Sequence, residues 1–241
     1  MEEKNKISVI LPTYNEKGCI LKLVEAIHKE LKECDHEIIV VDDNSPDGTF
    51  GLVSDLRCPY IKAVLRKEKP GLANSIRRGL EEAKGDIFIV MDSDFNHQPK
   101  YLPFMIKMID CYDCVTASRF LYGGRMNNKV RHILSWVFNI FIRLSTGGQI
   151  TDNLYGFFAI KRNIIEEYDY DHIFRGYGDY FVRLMFCLQR NNVNILQFPA
   201  ENGDRMDGKG NKAFLKTFFQ YTAATLRISL KDRFKKNVQK D

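Results

Sequence analysis

No window of about 18 apolar residues free of charge occurs in this chain, and a bilayer-spanning helix needs such a window. The richest apolar run, Ile133 to Ile142, is too short to span, so no transmembrane helix is expected. There is also no internal repeat and no low-complexity linker, which leaves one large domain or two small ones for 241 residues. Neither sign of charge is in large excess. The net charge of +5 does not mark a nucleic-acid binder, but it suits anionic ligands or an anionic membrane surface. A disulfide framework is missing too. Cys19, Cys34, Cys58, Cys111, Cys114 and Cys187 are scattered and no signal peptide precedes them, so reduced thiols and a cytoplasmic location are expected. Cys111-Tyr-Asp-Cys114 matches C-x-x-C without a second pair or a histidine set, and reads as ordinary thiols at the start of a strand.

What is present is an ordinary soluble composition, 44% hydrophobic and 28% charged. Short apolar runs alternate with helical patterns. Ile7 to Leu11 reads as a strand closed by Pro12, and a helix is expected from Asn15 or Glu16, with Ile20, Leu23, Val24, Ile27 and Leu31 on one face. Strand Glu37–Val41, strand "YIKAVLR", helix "GLANSIRRGLEEAKG", strand "DIFIVM", helix "KYLPFMIKMID" and strand "DCVTAS" follow. Strands without strict alternation, separated by helices, predict an α/β fold: a Rossmann-like, mostly parallel sheet with helices on both faces. Beyond about residue 120 come a Gly- and Asn-rich basic loop, an apolar helix "ILSWVFNIFIRLSTGG", strand "DNLYGFFAIKR", helix "YGDYFVRLMFCLQRN", strand "NILQFPA" and a polar loop "ENGDRMDGKGNK".

Two acidic clusters fall at strand ends, Asp42-Asp43 and Asp92-Ser-Asp94. Open α/β sheets gather ligands beyond those ends. Two like charges two residues apart each raise the cost of ionising the other. A divalent cation between them removes that cost, and hard cations take carboxylate oxygens. The plain alternative is a solvated turn. For Asp42-Asp43 it is a helix cap, with one Asp capping and the other binding ligand. His97 has no second histidine at ligand spacing and reads as a supporting or turn residue.

The segments "LPTYNE" (11–16), "VVDDNSPDGT" (40–49), "GLANSI" (71–76), "MDSDFNHQP" (91–99), "SRF" (118–120), "GG" (123–124) and "TDNLYGFFAIKR" (151–162) resemble, in kind and order, the family 2 glycosyltransferases of the GT-A fold. The likeness is to their polyprenyl-phosphate branch and covers about residues 7–212. It implies an inverting transfer from a nucleoside diphosphate sugar, most simply GDP-mannose, to a polyprenyl phosphate, with Mg²⁺ or Mn²⁺ as cofactor. Asp92 and Asp94 would contact the metal, with Asn96 standing where the family has a Gln or another polar residue. Pro12, Tyr14, Glu16, Val41 and Asp43 would form the nucleoside pocket, with Ser93 beside it. Arg119, Arg131 and Arg205 would meet phosphates. The family's R-x-x-G-x-S-K loop reads here Arg205-Met-Asp-Gly208-Lys-Gly-Asn-Lys212, so Lys209 or Lys212 would supply the last charge. The Glu that follows the family's Gly-Tyr pair is replaced near Val182, and Asp179 is the nearest acid.

The chemistry fits those residue types. Asp92, Asp94 and Arg205 would act on the charge that grows on the departing diphosphate. A phosphate acceptor is largely dianionic at neutral pH, with a second pKa of about 6, and needs no base. A hydroxyl acceptor on a glycan or glycolipid, the alternative reading, would need one, and Asp152 and Asp179 are the candidates. A nucleotidyltransferase is disfavoured because "PTYNE", not a Gly-rich basic loop, follows the first strand. Residues 1–212 form the expected catalytic domain. Residues 213–241 form a basic amphipathic tail, carrying Phe214, Leu215, Phe218, Phe219, Tyr221, Thr222, Leu226 and Leu230. That tail either lies in a membrane interface or docks on the protein's own core.

Overall fold

The structure, a computed structural model, describes residues 5–203 and 214–232. In chain order the elements are β1 (Ile7–Thr13), α1 (Ile20–Leu31), β2 (His36–Asp42), α2 (Thr49–Ser54), β3 (Ile61–Leu65), α3 (Leu72–Glu82), β4 (Ile87–Val90), α4 (Leu102–Ile109), β5 (Cys114–Ser118), α5 (Lys129–Thr146), β6 (Phe158–Lys161), α6 (Arg162–Ile165), α7 (Tyr170–Ile173), α8 (Asp179–Arg190), β7 (Ile195–Pro199) and α9 (Phe214–Arg227).

The strands form one sheet in the order β3-β2-β1-β4-β6-β5-β7. All neighbours are parallel except β6, which runs antiparallel to both β4 and β5. Along β1, Val9 and Leu11 pack with Ile20, Leu23 and Ile27 of α1, whereas Ile10 packs with Ile76 and Leu80 of α3. Successive side chains leave opposite faces of a strand, so a strand covered on both sides must be apolar throughout. All four residues of β4 are buried for this reason.

The mostly parallel α/β sheet expected from the sequence is therefore the fold. Three local expectations need correction. β1 does not stop at Pro12 but pairs with β2 through Thr13. α1 starts at Ile20 rather than Asn15 or Glu16, because Asn15 takes a left-handed conformation (φ +62°) that ends the strand in a turn. Cys111 is exposed and precedes β5, which begins at the buried Cys114.

After β1 the chain builds outward through β2 to β3, then returns to the other side of β1 as β4. The strand order reverses there, and it is at such a switch point, here beyond the C-terminal ends of β1 and β4, that open α/β sheets hold their ligand crevice. The tail helix α9 packs on α8 and α5, with Tyr221 and Ala224 turned inward and Ile228, just past its end, buried in the core. Phe219, Leu226 and Leu230 of the same segment are exposed. The apolar stripe read from the sequence is thus divided between a docked face and an outward one.

Candidate active site

The candidate site draws on residues just beyond the C-terminal ends of β1, β2, β3, β4 and β5. Beyond β1, Tyr14 is half exposed, and the following turn is stitched to the loop after β2. Asn15 N–H donates to Ser45 Oγ, Glu16 N–H to Thr49 Oγ1 and Lys17 N–H to Asp47, at 2.9, 3.1 and 3.1 Å. Beyond β2, the two aspartates divide their tasks. Asp42 is fully buried and accepts from Ser45 N–H (2.8 Å), Ser45 Oγ–H (2.6 Å) and Thr13 Oγ1–H (3.2 Å), so it caps the loop. Asp43 pairs with the Arg66 guanidinium, which also donates to Ser75 Oγ, and accepts from Gly71 N–H at 2.7 Å. Arg66 was not singled out in the sequence. Its position one residue past β3 is the signal that marks it, since it too stands at a parallel strand end. Val41 is different: its side chain lies wholly inside the core against α3 and presents no surface to the crevice. Pro12 is buried as well.

Beyond β4 comes the D-x-D turn. Asp92 and Asp94 are both partly exposed. Ser93 Oγ–H donates to the Pro12 carbonyl (2.8 Å), tying this turn to β1. Asn96 N–H and Nδ2–H both reach the Asp94 carboxylate, at 3.0 and 2.8 Å, while Asn96 Oδ1 accepts from Asn202. Asn96 therefore sits beside the candidate metal position but turns its NH₂ towards Asp94, and a ligand role would require the amide to rotate. Phe95 holds φ +65°, a costly conformation for an aromatic residue that survives only where its surroundings enforce it. Those surroundings are visible. Gly203 N–H donates to Asn96 O (2.9 Å), and a Cβ on Gly203 would fall 1.9 Å from the Phe95 carbonyl oxygen. Tyr155 Oη–H also donates to Asn96 O (3.1 Å).

His97 has no exposed surface. Its Nδ1 accepts the Asp92 backbone N–H at 2.7 Å, and its Nε2 bonds the Tyr155 carbonyl at 2.9 Å. Burial pushes the imidazole down to about 3, so the ring is neutral at physiological pH.

The SRF segment places Arg119 beneath this turn, buried, with its guanidinium 4.6 Å from the Tyr155 ring centroid. Burial alone would lower its pKa, but the neighbouring Asp152 carboxylate outweighs that and holds it above the usual arginine value. Asp152, a candidate base, is fully buried and accepts from Arg119 N–H, Nε–H and Nη2–H and from Leu154 N–H. Asp179, the other candidate, accepts from Tyr177 N–H (2.8 Å) and from the buried Arg183 (2.5 Å). Arg131 is exposed in the first turn of α5, where Asn128 caps its N–H. Arg205, Lys209 and Lys212 lie outside the described residues.

No group of three His, Cys, Asp or Glu that could cage a metal occurs among the described residues. Two carboxylates at a strand end fit a cation that completes its shell with substrate phosphates and water, as Mg²⁺ and Mn²⁺ do.

The chain is 31% identical over 229 residues to a dolichol-phosphate mannosyltransferase of Pyrococcus furiosus, matching 92% of this chain and 63% of that protein. It therefore spans less than two thirds of that relative. It is 32% identical over 214 residues to an undecaprenyl-phosphate mannosyltransferase of Micrococcus luteus, covering 85% of this chain and 86% of the relative. Among solved structures, glucosyl-3-phosphoglycerate synthase of Mycobacterium tuberculosis, crystallised with Mn²⁺, UDP and glucosyl-3-phosphoglycerate, superposes with a TM-score of 0.68 at 20% identity, over 93% of this chain and 80% of that one. The glycosyl transferase family 2 model matches residues 8–169, and the chain belongs to that family.

Proposed function

We propose that this protein transfers a sugar, with inversion, from a nucleoside diphosphate donor to a polyprenyl phosphate; its relatives' names favour mannose as that sugar, and we assign GDP-mannose as the donor. The observation that carries the acceptor assignment is the state of the two candidate bases. Asp152 and Asp179 are each held by a buried arginine and by backbone N–H groups. A hydroxyl acceptor would need one of them as a proton acceptor, whereas a phosphate arrives ionised.

In this reading an acceptor phosphate oxygen attacks C1 of the sugar, and the C1–O bond to the diphosphate breaks on the opposite face. Mg²⁺ or Mn²⁺ bound by Asp92 and Asp94 would neutralise charge on the departing diphosphate. Asp43 and Tyr14 would meet the base, through an accepted N–H and a stacked ring. Arg205 follows, by two positions in the sequence, Gly203, whose N–H donates to the metal turn. Arg205 and a nearby lysine would then face the diphosphate.

No helix among the described residues is long and apolar enough to cross a membrane. Helix α5 nonetheless exposes Val130, Ile133, Leu134, Val137 and Leu144, and Trp136 is half exposed. Helix α9, packed against it, exposes Phe219 and Leu226, and Leu230 just beyond its end is exposed too. An outward apolar surface on two adjoining helices, with Arg131, Arg143 and Arg227 exposed on them, suits peripheral binding to an anionic leaflet, which we assign to the cytoplasmic face. The test is transfer by the full chain, with GDP-mannose, UDP-glucose and UDP-galactose offered against a polyprenyl phosphate and against a glycolipid hydroxyl. Mannosyl transfer to the phosphate is expected. Transfer only to the hydroxyl would overturn the acceptor assignment.

A further inference from the structure

The D-x-D turn is fixed at nearly every residue. Ser93 is tied to Pro12, Asp94 to Asn96, and Asn96 to Tyr155, Asn202 and Gly203. The remaining member, Asp92, has its backbone N–H bonded to an imidazole rather than to a carbonyl. A ring nitrogen that accepts an N–H carries no proton. Nδ1 of His97 is therefore bare, and the ring hydrogen sits on Nε2, which donates to the Tyr155 carbonyl. Aromatic packing fixes the ring plane: Phe157 stacks on it at 4.8 Å and 8°, and Tyr155 meets it edge-on at 4.5 Å. Asp92 Oδ2 lies 3.6 Å from Nε2. The imidazole thus bridges the metal turn to the segment before β6, in one tautomer and one orientation.

We infer that His97 is the positioning residue of the metal site, holding Asp92 by accepting its backbone N–H at Nδ1. The inference rests on the metal reading of Asp92 and Asp94. Groups that orient metal-binding carboxylates in this way change metal affinity by about 10- to 100-fold when removed.

The two ring bonds can be separated chemically. In His97→Asn, Oδ1 stands where Nδ1 was, so the acceptor for Asp92 N–H is kept and the bond to Tyr155 is lost. In His97→Gln, the terminal amide reaches the Nε2 position, so the Tyr155 bond is kept and the acceptor for Asp92 is lost. Mn²⁺ affinity of the full chain is read by electron paramagnetic resonance with GDP and with UDP, beside metal-free nucleotide affinity and the melting temperature. The expected result is Mn²⁺ affinity within about threefold of the native protein for His97→Asn and about tenfold weaker for His97→Gln, with metal-free nucleotide affinity unchanged in both. Equal Mn²⁺ affinity in the two variants would overturn the inference while leaving the metal reading intact. A native protein whose nucleotide affinity ignores Mn²⁺ would overturn both. If either variant fails to fold, ¹⁵N spectra of the native protein decide. An Nε2–H tautomer whose Nδ1 resonance shifts on adding Mg²⁺–GDP supports the role, and an Nδ1–H tautomer or an unmoved resonance refutes it.

Discussion

Asp152 grips Arg119 in a two-pronged pair, with Nε–H donating to Oδ2 at 2.7 Å and Nη2–H to Oδ1 at 2.9 Å, and both side chains are buried. The pair spans β5 and the segment before β6, and Tyr155 covers the guanidinium. Breaking a buried ion pair by neutralising one member strands the other charge. Asp152→Asn should therefore lower stability by about 3 kcal/mol or more, read by urea denaturation. A variant with native stability but kcat reduced about 10²–10⁴-fold would instead make Asp152 a base and move the acceptor to a hydroxyl.

Asp92→Asn and Asp94→Asn should abolish metal-dependent nucleotide binding while leaving the melting temperature within a few degrees. Both side chains are partly exposed, so neither carries much of the core. Calorimetry with Mn²⁺ and GDP checks this, and unchanged affinity in both variants removes the metal assignment.

His97 predicts a pH dependence of stability. Its folded-state value of about 3 lies below the ordinary 6.5. Between those limits the unfolded chain binds a proton that the native protein does not, so stability is full above pH 6.5 and falls as the pH drops towards about 3. The slope from this one group approaches about 1.4 kcal/mol per pH unit. Denaturation at pH 4.5 to 6 should show native protein losing stability more steeply than His97→Asn, by one proton. Parallel slopes would mean that the native imidazole is charged.

Arg205→Ala should cost orders of magnitude in turnover, and Lys209→Ala or Lys212→Ala alone much less, since either lysine can supply the charge lost from the family pattern. Equal, small effects from all three single changes would remove Arg205 from the catalytic set.

Gly178 should prove to be the seat of the tail helix. A Cβ there would stand 1.8 Å from Tyr221 Oη, although the backbone at Gly178 (φ −75°, ψ −8°) is one that alanine adopts freely. Gly178→Ala should therefore act by collision alone and destabilise by about 1–3 kcal/mol. It should also open residues 214–232 to proteolysis, and adding Tyr221→Phe should relieve part of the effect, since Cζ of the ring would still stand 2.9 Å from the new Cβ. If α9 governs membrane binding, Gly178→Ala and removal of residues 213–241 should also alter sedimentation with anionic vesicles at low salt. Native-like behaviour of Gly178→Ala in every assay would show that Tyr221 does not dock there.

Much of this protein was determined locally and was legible in the chain. Apolar runs ended by Pro, Asn and Asp located β1, β2 and β4 to within a residue or two, because burial on both faces demands an unbroken apolar strand. The strand-end rule then put Asp43, Asp92 and Asp94 on one rim, and the spaced motifs identified the family. Other features needed the tertiary structure. Nothing near Phe158–Lys161 tells that β6 runs antiparallel between β4 and β5, since direction depends on which edges are open when the strand arrives. Only that arrangement buries Asp152 against Arg119, 33 residues away, a pairing that no spacing in the sequence foretells. The same holds for Asp43 with Arg66 and for His97 with Tyr155. Periodicity found the apolar residues of the tail but not which of them would dock, because its stripe is wide enough to serve α5, α8 and a second surface at once. Hydrophobic patterning is written residue by residue. Which acid meets which base is set by sheet order and register, and those exist only once the chain has folded.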